Sequence, residues 1–133
     1  MSLLTIHPDA IDDLEDLSTR SPNTWARILA LLEQIRADHK LLDALTDHGY
    51  GVDRTKAFAV SRFESQWHKG TDLWRLKIWD LEAQALRYRV IYAYEIRRKR
   101  YHVLGVIQRQ GYNYEPDHAF TKRVLKAYDD VCR

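Results

Sequence analysis

Apolar and polar residues alternate with a period of two from Leu73 to Tyr94, which predicts two β-strands. In LWRLKI, Trp74, Leu76 and Ile78 point one way, and Arg75 and Lys77 point the other. In RYRVIYAY, Tyr88, Val90, Tyr92 and Tyr94 share a face, with Arg87 and Arg89 opposite. Paired, the two strands make a sheet with one apolar and one basic face. A further strand, residues 101–108, has Val103, Leu104, Val106 and Ile107 on both sides, which suits a central position. His102 alternates within it and reads as a hydrogen-bonded sheet histidine rather than a catalyst.

Upstream the period changes. Residues 3–6 suit a short first strand, ended by His7-Pro8. From Asp9 onward, Ala10, Ile11, Leu14 and Leu17 recur at helical spacing, and the early acids favour the positive end of a helix. Ser18-Thr19-Arg20 is expected to break this helix. Ser21-Pro22 starts another, with serine as cap and proline in the first turn. Its stripe of Trp25, Ile28, Leu29, Leu32 and Ile35 is expected to run on through Leu41, Leu42 and Leu45. His48-Gly49-Tyr50-Gly51 is turn chemistry. Residues 52–70 leave an edge strand around Phe58 and Val60 and a short helix both open, and residues 80–86 form a longer connection. Gly111 breaks the last strand, and Asp117 is expected to cap a final helix carrying Phe120, Val124, Leu125, Tyr128 and Val131. The expected fold is α/β (α+β): an N-terminal helical hairpin on a small twisted, mainly antiparallel sheet, with a C-terminal helix. Hairpin and last helix are both expected on the apolar face, in one domain spanning residues 1–133.

Composition narrows the class. At 133 residues and 45% hydrophobic, the chain is long enough for a sizeable core. Its longest apolar run, Ile28–Leu32, is far too short to span a bilayer, and no secretory leader opens it. The expectation is a cytoplasmic protein with no membrane partner. Cys132 stands alone, so an internal disulfide and a cysteine metal cluster are excluded. His7 with its following acids could hint at metal, but those acids suit a helix start, and no metal or other cofactor is expected. A net charge of +2 says little, yet its distribution is uneven. Residues 1–50 hold nine acids and four bases, whereas residues 73–109 hold nine bases and three acids. That polarity favours an anionic partner on the second half. No glycine-rich phosphate loop or nucleophile elbow is present.

The succession LWRLKI…RYRVIY…YHVLGVIQR, with a strand and two helices before it, resembles the RelE/ParE superfamily of bacterial type II toxins. The motifs cover residues 73–109. The connection at residues 80–86 is longer than the tight turn usual in that family, and the tail after Arg109 is extended. The resemblance implies a toxin held in check by a cognate antitoxin protein and, in the RelE-like branch, an mRNA interferase. Such an endoribonuclease cleaves mRNA, in many members on the ribosome, and so inhibits translation. The alternatives are a ParE-like toxin that inhibits DNA gyrase without nuclease activity, and a non-catalytic binding module on the same fold.

Metal-free cleavage by the RNA's own 2′-hydroxyl needs a base, cations for the charge gathering on phosphorus, and an acid for the leaving 5′-oxygen. By resemblance, Arg75 and Lys77 fall where the family keeps basic residues on its first long strand. Arg89 falls on the arginine of the "Tyr-Arg" strand, and Arg109 on the basic residue that ends the last one. Lys77 is the expected base if neighbouring cations depress its pKa, while Arg89 and Arg109 hold the phosphate. The acid lies among Tyr112, Tyr114 and His118. Arg75, Arg87, Tyr112 and Trp79 are the expected RNA contacts, although Trp79 could instead pack beneath a loop.

Overall fold

The two-residue period is realised in three adjacent strands: β3 (Leu73–Ile78), β4 (Tyr88–Glu95) and β5 (Arg100–Gln108). They belong to a computed structural model that describes residues 3–110, 112 and 114–132. β3 and β4 pair antiparallel, with Arg75 opposite Ile91 and Leu76 opposite Val90, and β4 pairs antiparallel with β5. β2 (Phe58–Arg62) adds an antiparallel edge to β3, and β1 (Leu4–Ile6) lies parallel to β5. The order is β1-β5-β4-β3-β2, so β5 is internal, as its two-sided apolar pattern predicts. The segment left open between strand and helix is both: β2, then the single turn α4 (Glu64–Trp67), and the connection after β3 holds the short α5 (Trp79–Ala83).

Three helices cover the face bearing Trp74, Leu76, Val90 and Tyr92: α1 (Pro8–Arg20), α2 (Pro22–Arg36) and α3 (His39–Ala44). The His7 side chain caps α1, its Nδ1 accepting from the Asp9 N–H at 3.1 Å. α1 runs through the expected break, because Ser18 and Thr19 turn their hydroxyls back onto the Glu15 and Asp16 carbonyls and stay helical. α2 stops before Leu45, because Asp38 takes the Lys40 N–H on its carboxylate (2.9 Å) and starts α3 afresh. Leu14, Leu17, Ile28, Leu32 and Ile35 then close over the sheet. Each such side chain contributes about 1.5–3 kcal/mol when fully buried. Tyr92 donates its hydroxyl to the Leu45 carbonyl at 2.6 Å, tying the sheet to the end of α3. No helix among the described residues is long and apolar enough to cross a membrane.

The opposite face departs from expectation. α6 (Ala119–Cys132) packs there, with Phe120, Val124 and Ala127 meeting Leu73, Ile91, Ala93 and Leu104. A bulge makes room: Ile91 pairs with Gly105 and Tyr92 with Val103, leaving Leu104 as the extra residue. A side chain at position 105 would put its Cβ 2.6 Å from the tip of the Phe120 ring, so glycine lets α6 approach without displacing that ring. His118, rather than Asp117, caps the helix by accepting from the Phe120 N–H at 3.1 Å. Beyond the short β1, the Val106 N–H donates to Asp13 of α1 (2.9 Å), and Arg123 of α6 grips the same carboxylate (Nη1 at 2.9 Å). One aspartate therefore clasps the two helical layers across the sheet edge.

The turn before β2 is fixed by Gly51, whose φ is +71° and whose position leaves 1.9 Å between a would-be Cβ and the Phe58 carbonyl oxygen. Gly51→Ala is expected to cost about 1–3 kcal/mol from the backbone alone and more from the clash. A urea unfolding midpoint equal to that of the parent chain would contradict this account.

Candidate functional site

α6 covers only the apolar part of its face. Where β3 and β4 carry Arg75, Lys77 and Arg89, and Arg109 follows the end of β5, the sheet is hollowed instead. A small cavity of about 140 Å³ is lined by these four cations with Ser61 and Tyr114. It adjoins a broader groove of about 870 Å³ that shares Lys77, Arg89 and Arg109 and adds Arg54, Trp79, Glu82 and Arg87. The pleat accounts for the grouping: Arg75 and Lys77 are the residues of β3 that Trp74, Leu76 and Ile78 turn away from the hairpin core.

Each cation is held by something uncharged or negative. Arg75 donates Nε to Ser61 Oγ at 3.0 Å and lies 4.7 Å from the centre of the Tyr114 ring. Arg109 stands 4.9 Å from the same ring and donates to the Tyr112 carbonyl. Lys77 and Arg54 lie 4.7 and 4.6 Å from the Trp79 ring. Arg89 bonds the Glu82 carboxylate and the Tyr88 carbonyl (3.0 Å), and both partners of the ion pair are largely buried. Burial, and then the Arg89 charge, lower the Lys77 pKa; Glu82 acts in the opposite sense, and Arg75 and Arg54 add to the lowering.

Tyr114 is unusual twice over. Its φ of +62° is a left-handed conformation that few side chains tolerate, and its hydroxyl is buried without a hydrogen-bond partner. Strained backbone and an unsatisfied polar group each cost free energy, and both tend to persist at functional sites.

The fold thus brings Arg75, Lys77, Arg89, Arg109 and Tyr114 together, with Arg87 and Trp79 on the outer groove. Two expected residues fall elsewhere. Tyr112 lines neither cavity: it is 1% exposed, its hydroxyl is engaged with Thr121 Oγ1 (2.7 Å), and burial pushes its pKa up to about 12. His118 spends Nδ1 on the α6 cap and packs its ring against Tyr112, so it lines neither cavity. Trp79 packs beneath the loop, its Nε1 donating to the Gly51 carbonyl at 2.7 Å, and its ring supports two cations.

Glu82, Ser61 and Arg54 were missed by sequence reasoning. The one available signal was that Glu82 lies in the connection between the two strands that carry the cations. Among the described residues, no three His, Cys, Asp or Glu side chains are grouped to hold a metal ion. Set against protein-family models, curated proteins and solved structures, the chain finds no match.

The signs of the Lys77 interactions can be tested directly. In a site-resolved NMR titration, Arg89→Gln is expected to raise the Lys77 pKa and Glu82→Gln to lower it. Identical titration curves in all three proteins would refute the described electrostatics.

Proposed function

We propose that this chain is an endoribonuclease toxin of the RelE-like kind, an mRNA interferase of a type II toxin–antitoxin system. The observation that carries the reading is the convergence of Arg75, Lys77, Arg89 and Arg109 around one cavity that Tyr114 also lines. Four cations in a partly desolvated hollow suit a phosphate whose charge grows during attack by the adjacent 2′-hydroxyl. Arginine forks on two strands match its oxygens. In this reading Tyr114, the candidate acid that lines the cavity, gives the leaving 5′-oxygen its proton. The cations supply on protein side chains the charge stabilisation that other nucleases take from metal ions. The strand motifs over residues 73–109, and their placement on adjacent antiparallel strands, add support from resemblance.

In this reading the protein works in the cytoplasm on mRNA, on the ribosome where the family does so. A cognate antitoxin would restrain it by laying an acidic or amphipathic segment over the groove between Arg54, Arg87 and Arg109.

The test is induced expression in a bacterial host with mapping of RNA 5′ ends. The parent chain is expected to arrest growth and leave new 5′-hydroxyl ends. Arg89→Ala and Lys77→Ala, shown to be folded by circular dichroism, are expected to reduce cleavage by about 10²–10⁴-fold. Toxicity that survives both substitutions would sink the reading. Intact RNA with accumulating DNA breaks would replace it with a gyrase-directed one.

A further inference from the structure

Glu82 belongs to no motif of the resemblance and stands on α5, in the connection that is longer than the family's turn. Leu81 is buried in the hairpin core, Asp80 pairs with Arg27 of α2, and Trp79 is bonded to the Gly51 carbonyl. Held at these three points, α5 delivers the Glu82 carboxylate to Arg89. There the Glu82 and Arg89 side chains are only 15% and 14% exposed. Both also line the groove that Lys77 and Arg109 line. Any anion that bonds Arg89 in this groove shares its guanidinium with a carboxylate already in place.

Such a carboxylate weakens every anion, but not equally. Repulsion between two charges grows in proportion to each of them. A phosphate inside a nucleic-acid chain is a diester and carries a single negative charge. A terminal phosphate, as on a free nucleotide, carries about two once the pH is above its second pKa of about 6. The cations alone favour the terminal kind, because attraction doubles as well. The fixed carboxylate subtracts from that preference at the guanidinium where a phosphate bonds. Its low exposure keeps salt from screening the effect away. A chain can also set neighbouring phosphates near Arg54 and Arg87 in the outer groove, which a lone terminal phosphate cannot do.

We propose that Glu82 is a specificity-determining residue of this site, turning it away from terminal phosphates and toward the singly charged phosphodiester within an RNA chain. The proposal rests on the ribonuclease reading and names which kind of phosphate the hollow takes. Nucleotides and inorganic phosphate share the solvent with RNA, and without this residue they compete for the same cations. The role is one of charge alone. Glu82→Gln, which keeps an oxygen acceptor for Arg89, removes it.

The test is an NMR titration at pH 8 that follows the Arg89 Nε signal in the parent chain and in Glu82→Gln. One ligand is adenosine 5′-monophosphate, which ends in a terminal phosphate. The other is a dinucleotide with one internal diester, no terminal phosphate and no adjacent 2′-hydroxyl, so it cannot be cleaved. Glu82→Gln is expected to bind both more tightly, with a gain for the monophosphate about tenfold larger than that for the dinucleotide. An equal gain for both ligands overturns the proposal, as does no gain for the monophosphate. If Glu82→Gln does not fold by circular dichroism, the same comparison in Glu82→Ala decides. A parent chain that binds the dinucleotide, with no change of preference in the variant, leaves the ribonuclease reading standing and removes only the role of Glu82. A parent chain that binds neither the dinucleotide nor a longer RNA removes both.

Discussion

The register of β3 on β4 is the constraint on which the rest depends. With Arg75 opposite Ile91 and Leu76 opposite Val90, the pleat sends Trp74, Leu76 and Ile78 into the hairpin core and Arg75 and Lys77 into the cavity. A slip of one residue would exchange the two sets. It would bury two unpaired cations beneath α1 and α2, at several kcal/mol each, and expose a tryptophan and two aliphatic side chains. No intermediate register relieves this. The packing that stabilises the sheet and the placement of the cations are therefore one event, and a chain that folds at all presents its site.

The second face is divided rather than uniform, and the division follows the side chains. Leu73, Ile91 and Ala93 alternate with the hairpin-facing residues just as the basic residues do, but they lie at the other end of the strands. α6 takes that apolar end, brought close by Gly105 and anchored to α1 through Arg123 and Asp13. It cannot extend over the cations without burying them. Residues 112 and 114 leave the sheet between the two zones, and their aromatic rings divide the labour accordingly. Tyr112 closes the apolar zone with its hydroxyl satisfied by Thr121, while Tyr114 enters the cation zone with its hydroxyl unsatisfied.

Much of this was legible in local pattern. The strands at residues 73–78 and 88–95, the internal position of residues 101–108 and the hairpin stripe all follow from periodicity, which reports which side of an element each residue occupies. The place of α6 was also legible in principle, because Leu73, Ile91 and Ala93 show an apolar zone at one end of the nominally basic face. Other features were not local. That Tyr112 and His118 are committed to Thr121 and to the α6 cap depends on a helix yet to be docked, so sequence position could not separate them from Tyr114. Glu82 depends on α5 being pinned by Arg27 and by the Gly51 turn, both distant along the chain.

Gathering Arg75, Lys77, Arg89 and Arg109 before any substrate arrives raises an electrostatic difficulty, since like charges in a partly desolvated hollow repel. The structure meets it without neutralising the site. The Tyr114 ring lies against Arg75 and Arg109, and the Trp79 ring against Lys77 and Arg54, so the electron-rich ring faces offset part of the repulsion. Ser61 takes one arginine N–H, and among the described residues Glu82 alone supplies a full opposite charge, at Arg89. Each partner also restricts a long, flexible side chain, so less conformational entropy remains to be lost when an anion binds. The two rings and Ser61 are weak in charge and can yield to a phosphate at little cost. The Glu82 contact cannot yield so cheaply, because a carboxylate and a phosphate would then face the same guanidinium.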